Sequence, residues 1–119
     1  MIKKTIYLVE DDDDIREMLQ YLLKDLDCEI VPCHNAAVFW KKMQSGKPNL
    51  VIMDIMLPDD NGAEIGKKLN REPSTADIPI LFMSANLTFQ LPFELDAHEF
   101  ISKPFDVNHF MERVTHLLN

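Results

Sequence analysis

Long apolar runs are missing from this sequence. Its longest apolar stretches, Leu50–Met53 and Ile80–Met83, are far too short to cross a bilayer. The chain opens on Met1–Lys4 and a strand-like segment, without the charged, apolar and small-residue pattern of a signal peptide. Linkers, internal repeats and low-complexity segments are missing as well. We therefore expect no membrane insertion, a cytoplasmic location and a single domain over residues 1–119.

Cysteine is scarce, and positive charge is outweighed by negative charge. The two cysteines, Cys28 and Cys33, have only His34 nearby and so lack a set of metal ligands; we expect two reduced, packed thiols. The formal net charge of −8 argues against direct binding to nucleic acid or to an anionic membrane, because both need a basic patch. It is compatible with a site that gathers carboxylates around a cation.

Five apolar runs have the length and composition of buried parallel strands. They are Thr5–Val9, Cys28–Val31, Leu50–Met53, Ile80–Met83 and Glu99–Ser102. Helical patterns lie between and after them, and strands that alternate with helices form a parallel sheet covered on both faces. With right-handed crossovers, this predicts an α/β fold: a flavodoxin-like, doubly wound five-stranded parallel sheet of order 2-1-3-4-5.

The helical segments differ in strength. The second helix is predicted to start after the cap residue Asn35, and the third after Gly62, ending before Pro73. The segment Ala85–Ala97 has no sustained apolar stripe and carries Pro92, so we predict a shortened or irregular fourth helix there. The first and last helices have long apolar stripes, formed by Ile15, Met18, Leu19, Leu22, Leu23 and Leu26 and by Val107, Phe110, Met111, Val114, Leu117 and Leu118.

Polar residues stand at the carboxyl ends of the predicted strands. Glu10 and Asp11 come at the end of strand one and Asp54 at the end of strand three, while Ser84 follows strand four and Lys103 follows strand five. Open parallel sheets bind ligands at this edge, where the strand order reverses. Carboxylates about 4 Å apart repel each other by roughly 4 kcal/mol, so the cluster must take up protons or bind a cation. Oxygen ligands favour Mg²⁺, Mn²⁺ or Ca²⁺ over zinc.

With Mg²⁺ bound, one carboxylate of such a cluster can attack phosphorus and form an acyl phosphate. Asp54 is the candidate, because it is the lone acid at its strand end; Lys103 would pair with the phosphoryl group and Ser84 would donate a hydrogen bond to it. Each residue alone has an ordinary structural explanation, and only their joint placement favours the site. The run Asp12–Asp14 is predicted merely to cap and charge the start of the first helix.

With these residues, the chain resembles the receiver domains of bacterial two-component response regulators, including the chemotaxis regulators. The resemblance covers nearly the whole chain in the family's order, through Tyr7–Asp12, Asp14–Arg16, Val51–Pro58, Asn61–Gly62, Asp77–Ile80, Met83–Ala85 and Ile101–Phe105. It implies that Asp54 is the phosphoacceptor. It also implies that Glu10, Asp11 and Asp54, with the backbone carbonyl of Met56, hold Mg²⁺.

The resemblance further implies that Ser84 and Lys103 bind the phosphoryl group, that the peptide bond from Lys103 to Pro104 is cis, and that Phe100 turns inward when Ser84 engages the phosphoryl group. The phosphoryl group would come from a histidine kinase or a phosphotransfer protein, and the output partner is not indicated. The receiver would catalyse its own phosphorylation and dephosphorylation, without being an enzyme that turns over an external substrate. Side chains near Met56 and Asn86 would influence the rate at which the aspartyl phosphate hydrolyses.

Two other hypotheses remain. One is a degenerate receiver that binds partners constitutively and is never phosphorylated. The short stretch between Ser84 and Lys103 favours it slightly, with Phe89, Leu91 and Phe93 as a candidate partner patch, but the intact set of Glu10, Asp11, Asp54, Ser84 and Lys103 argues against it. The other is an Mg²⁺-dependent phosphatase, which needs a second acid to protonate its leaving group, whereas Met56 stands two residues beyond Asp54. The sequence does not separate a complete single-domain regulator from part of a longer protein.

Overall fold

The five apolar runs form one parallel sheet. A computed structural model describes residues 3–84, 99–104 and 106–119. Its strands are β1 (Thr5–Val9), β2 (Glu29–Cys33), β3 (Leu50–Asp54), β4 (Ile80–Ser84) and β5 (Glu99–Ser102), and its helices are α1 (Asp13–Leu23), α2 (Ala36–Met43), α3 (Gly62–Arg71) and α4 (Val107–Leu118). The strand order is β2-β1-β3-β4-β5 with every pair parallel. The predicted doubly wound fold is confirmed.

The strand bounds differ from the prediction mainly at β2. We predicted Cys28–Val31, but the strand runs from Glu29 to Cys33 and includes Pro32. A proline is tolerated there because β2 lies at the edge of the sheet, where one side of the strand needs no ladder hydrogen bonds. Strands β3 and β4 each extend one residue further than predicted, so that Asp54 and Ser84 are themselves the last strand residues.

The two faces of the sheet carry two separate apolar cores, because successive side chains of a strand point to opposite faces. Helices α2 and α3 cover one face, through Phe39, Ile65 and Leu69. Helices α1 and α4 cover the other, through Leu19, Leu23, Phe110 and Val114. The strands supply alternate residues to each core: Tyr7, Val9, Val51, Met53, Ile80 and Phe82 to the first, and Ile6, Leu8, Leu50, Ile52, Leu81 and Met83 to the second.

The helix starts follow the predicted caps. The side chain of Asp12 accepts from the amide of Ile15 at the start of α1, and that of Asn35 accepts from the amide of Val38 in α2. Helix α3 starts at Gly62, one residue earlier than predicted, and Asn61 is its cap. Helix α1 ends at Leu23 and continues as a 3-10 turn over Lys24–Leu26.

Two residues of the predicted apolar stripes are exposed. Met18 is 45% exposed, since it lies one residue, or about 100° of helix rotation, away from the buried Leu19. Val107 is 44% exposed because it is the first residue of α4, although it lies on the same side of the helix as the buried Phe110. Both cysteines are free, as predicted, and Cys33 is fully buried.

The fourth crossover, predicted over Ala85–Ala97, lies outside the described residues, as do Phe89, Leu91 and Phe93. Among the helices of the described ranges, none combines the length and apolarity needed to span a membrane.

Candidate functional site

Three carboxylates meet where β1 and β3 end. The two strands are neighbours, with Val9 opposite Met53, so the residues that follow these positions come together. Carboxylate oxygens of Glu10, Asp11 and Asp54 all lie within 4.8 Å of one another. Glu10 is 1% and Asp54 6% exposed, whereas Asp11 is exposed. The predicted convergence of these three residues is present in the structure.

Lys103 joins the cluster from β5, on the far side of β4. Its Nζ donates to Glu10 Oε1 over 2.6 Å and to Asp54 Oδ2 over 3.0 Å. These are charge-assisted hydrogen bonds between groups that are largely withdrawn from water, so they hold all three side chains in fixed positions. The peptide bond from Lys103 to Pro104 is cis, as the family resemblance implies.

Burial and proximity perturb the titration of two of these groups. Burial, followed by the nearby charge of Asp54, raises the pKa of Glu10 from 4.5 to about 7, although the hydrogen bond from Lys103 acts in the opposite direction. Burial alone would lower the pKa of Lys103, but its hydrogen bonds to Glu10 and Asp54 outweigh that effect and raise it. A positive charge is therefore firmly retained beside the carboxylates.

The donor set fits a hard divalent cation. Of the three clustered carboxylates, two contact the one ammonium group, which leaves an excess of negative charge. All three offer oxygen ligands, which Mg²⁺ prefers, and the described residues bring no thiol or imidazole into the cluster. The exposed Asp11 leaves one side of the cluster open to water and to an incoming ligand.

The loop after β3 is held tightly against Asp54. The amide of Met56 donates to Asp54 Oδ1 over 3.0 Å, and Met56 pairs with Asn61 in an isolated antiparallel bridge. The amide of Gly62 donates to the carbonyl of Ile55 over 2.7 Å. These contacts place Met56, the predicted backbone ligand, at the same edge of the sheet as the carboxylates.

Ser84 and Phe100, the predicted switch residues, lie on β4 and β5. Ser84 is fully buried, and its carbonyl accepts from the amide of Lys103 over 2.8 Å. Ser84 follows Met83, the register partner of Asp54, so it stands at the same sheet edge. Phe100 pairs in register with Phe82 and is 37% exposed. Asn86, predicted to influence hydrolysis, lies outside the described residues.

Two residues with contacts to this region had no role in the sequence analysis. Arg16 donates from Nη1 to the carbonyl of Glu10 over 2.8 Å and from Nη2 to Asp13 over 2.5 Å, so α1 fixes the loop that carries Glu10. Asp59 accepts from the amides of Ala36 and Ala37. The hydrogen bond from Ala36, supported by that from Ala37, lowers the pKa of Asp59. For Arg16, its place in the family-like stretch Asp14–Arg16 was a usable signal; for Asp59 we find none.

Comparison with known proteins identifies the family of this chain. A family model described as response regulator receiver domain matches residues 6–115. Histidine kinase P4 from Formosa agariphila is 33% identical over 98% of this chain, although the match spans 9% of that protein. The phosphate regulon transcriptional regulatory protein PhoB from Pseudomonas aeruginosa is 31% identical over 99% of this chain and 53% of its own length. The chain thus spans only part of either relative.

A solved structure matches over almost its full length. The response regulator protein TrrA from Thermotoga maritima, in complex with Mg(2+)-BeF, has a TM-score of 0.84 and 30% identity, with 96% of this chain and 98% of that chain covered. On the family match and these relatives, the chain belongs to the response regulator receiver domains of two-component systems.

Proposed function

We propose that the protein is a phosphorylation-dependent receiver in which Asp54 accepts a phosphoryl group in an Mg²⁺-dependent reaction. The observation that carries this proposal is the joint geometry of the acidic cluster and Lys103. Lys103 Nζ bridges Glu10 and Asp54 within hydrogen-bond distance, while Asp11 leaves the cluster open on one side. This arrangement places a positive charge beside the nucleophile and leaves access for a phosphodonor.

The chemical step uses a carboxylate oxygen of Asp54 as the nucleophile. A bond forms between that oxygen and phosphorus, while the bond from phosphorus to the donor nitrogen breaks and its electron pair stays with the donor imidazole. Negative charge spreads over the phosphoryl oxygens during transfer and must be stabilised by fixed positive groups. Lys103 is already held at Asp54, so it needs little rearrangement to supply this charge.

Ser84 and Phe100 are proposed to couple the phosphate to the surface. The hydroxyl of Ser84 would donate to a phosphoryl oxygen, and Phe100, which is partly exposed here, would turn inward as Ser84 moves. Phe100 has no hydroxyl, so this switching depends on packing alone.

Glu10, Asp11 and Asp54 would hold the proposed cation, with the carbonyl of Met56 as a further ligand. Mg²⁺ bound there would offset the negative charge of both the carboxylates and the phosphoryl oxygens. TrrA from Thermotoga maritima, whose structure contains Mg(2+)-BeF, supports the choice of this metal for a chain of the same family.

The proposed partners are a histidine kinase or a phosphotransfer protein as phosphodonor, and an output partner whose identity stays open. The relatives are consistent with both sides of such a pathway, since they include a histidine kinase and a transcriptional regulatory protein. We propose that the protein acts in the cytoplasm, catalyses only its own phosphorylation and dephosphorylation, and does not bind nucleic acid directly, given its net charge of −8.

The assignment of Asp54 is tested by labelling with acetyl phosphate in the presence of Mg²⁺, read by intact mass. Wild type and the control Asp77→Asn, which alters an exposed acid before β4, should each gain one phosphate. Asp54→Asn should gain none. An adduct retained by folded Asp54→Asn would place the phosphoacceptor elsewhere, and a folded wild type without any adduct would favour the constitutive partner-binding module.

A further inference from the structure

The loop between β3 and α3 is anchored at both ends and also at its tip. Its ends are held by the bridge between Met56 and Asn61 and by the bond from Gly62 to Ile55. At its tip, Asp59 reaches a different element of the fold. One carboxylate oxygen accepts from the amide of Ala36 over 2.9 Å, and the other accepts from the amide of Ala37 over 3.1 Å.

We propose that Asp59 is a positioning residue: its two hydrogen bonds to the start of α2 hold the β3–α3 loop, and with it the Met56 carbonyl, in the place needed for Mg²⁺. This inference rests on the proposed function, because it assigns Asp59 a role in the same cation site. Asp59 itself is not a ligand in this account. It acts through the loop that it fixes.

Helix capping alone does not account for the two hydrogen bonds that Asp59 accepts. Helix α2 has a cap from its own chain, since Asn35 Oδ1 accepts from the amide of Val38 over 2.9 Å. The first amides of a helix have no partner within the helix and can be satisfied by water when they are exposed. Here they are satisfied by a carboxylate 22 and 23 residues away in the chain, which ties the β3–α3 loop to the start of α2.

The anchor on the other side of these bonds is rigid. Ala36 is 4% exposed, and Phe39, one turn further along α2, is fully buried in the core between the sheet and helices α2 and α3. A loop tied to this helix inherits the positional order of the core, whereas a loop tip in water would sample many conformations. The charge of the carboxylate also suits the positive end of the helix dipole, which strengthens both bonds.

The test compares Asp59→Ala with Asn35→Ala, which removes a cap from the same helix without touching the loop. Mg²⁺ alone is the probe, with affinity measured by calorimetry on the whole chain. Asp59→Ala should weaken Mg²⁺ binding by about tenfold, the low end of what loss of an outer partner of a metal ligand costs. It should also speed amide hydrogen exchange at Met56 and Gly62 in Mg²⁺-free protein. Asn35→Ala should change neither by more than about twofold.

A third variant, Asp59→Asn, keeps one acceptor oxygen for one of the two amides, so its Mg²⁺ affinity should fall between wild type and Asp59→Ala. Equal Mg²⁺ affinity of wild type and Asp59→Ala, or equal loss in Asp59→Ala and Asn35→Ala, would overturn the positioning role while leaving the proposed function intact. Absence of Mg²⁺ binding by wild type would instead refute the proposed function, and the positioning role with it.

Discussion

Two neighbouring residues of β3, Met53 and Asp54, lie in different environments: the first in an apolar core and the second in a cluster of charged side chains. Met53 is fully buried among apolar side chains on the α2–α3 face of the sheet. The next residue, Asp54, is almost as deeply buried but lies beside Glu10 and Lys103. Burial of apolar side chains on the two faces of the sheet stabilises the fold, whereas the proximity of like charges at its carboxyl edge destabilises it. The faces are therefore expected to determine stability, and the edge to determine chemistry.

The largest effect on stability should come from a core residue far from the carboxylates. Phe39→Ala should lower the free energy of unfolding by about 3–5 kcal/mol, because it removes a fully buried ring that contacts Tyr7 and Trp40. Urea unfolding followed by the fluorescence of Trp40, the single tryptophan, measures this loss. Met18→Ala, at a 45% exposed site, is the control and should change stability by less than about 1 kcal/mol. Similar losses in both variants would contradict the assignment of the core.

The next largest effect on stability should come from the carboxyl edge of the sheet, when the positive charge of Lys103 is removed. Lys103→Met leaves the buried Glu10 and Asp54 without their partner and should cost about 3 kcal/mol in Mg²⁺-free buffer near neutral pH. Saturating Mg²⁺ should restore part of this loss, because it supplies positive charge and binds the folded state. Lys3→Met, which breaks an exposed pair with Asp27, is the control and should cost less than about 1 kcal/mol. If the two lysine variants lose the same stability, repulsion between the buried carboxylates is not a significant contribution at this edge.

A smaller loss of stability is expected from a substitution at Gly62, the first residue of α3, which packs against the end of β3. A Cβ on Gly62 would lie 2.3 Å from the carbonyl oxygen of Asp54 and 2.8 Å from Cα of Ile55, so Gly62→Ala forces backbone apart. We expect a loss of about 2 kcal/mol in the free energy of unfolding together with weaker Mg²⁺ binding. Gly46→Ala is the matched control, since a Cβ there would meet no described atom within 4 Å. Unfolding curves and Mg²⁺ titrations that are unchanged by Gly62→Ala would show that this close approach is not needed.

The smallest effect is a pH dependence. Burial raises the pKa of Glu10 from 4.5 to about 7, so the folded state keeps a proton that the unfolded state releases within this range. The stability contributed by this proton is full below about pH 4.5 and is lost as the pH rises through about 7. Glu10→Gln should make the fall in stability across this window shallower by about 1 kcal/mol per pH unit in Mg²⁺-free buffer. The exposed control Glu17→Gln should keep the wild-type slope, and an identical slope in Glu10→Gln would contradict the assignment.

The sequence was sufficient for the fold because strands and helices alternate and each has its own period. It was also sufficient to bring Glu10, Asp11, Asp54 and Lys103 together, since all stand at the carboxyl ends of parallel strands and topology alone makes those ends meet. Local chemistry likewise predicted the caps of Asp12 and Asn35.

What the sequence could not supply are contacts fixed by tertiary distance. Asp59 reaches Ala36 across 23 residues, and no local pattern distinguishes it from an ordinary loop acid. The predicted strand Cys28–Val31 ended before Pro32, whereas β2 includes it, and the edge position that tolerates a proline follows from the sheet order and not from the strand itself. The exposure of Met18 depends on the rotation of α1 about its own axis relative to the sheet. The spacing of apolar residues predicts that rotation only to within one residue.

The most direct test of the polar edge is its dependence on the cation. Intact mass should be measured after wild-type protein is incubated with acetyl phosphate, with Mg²⁺ and with Mg²⁺ removed by a chelator. We predict a single phosphate adduct that forms only with Mg²⁺ and is released by hydroxylamine, as expected for an acyl phosphate on a carboxylate. An adduct that forms equally well without Mg²⁺, or folded protein that never gains phosphate, would contradict the account of this edge as a cation-dependent phosphoacceptor site.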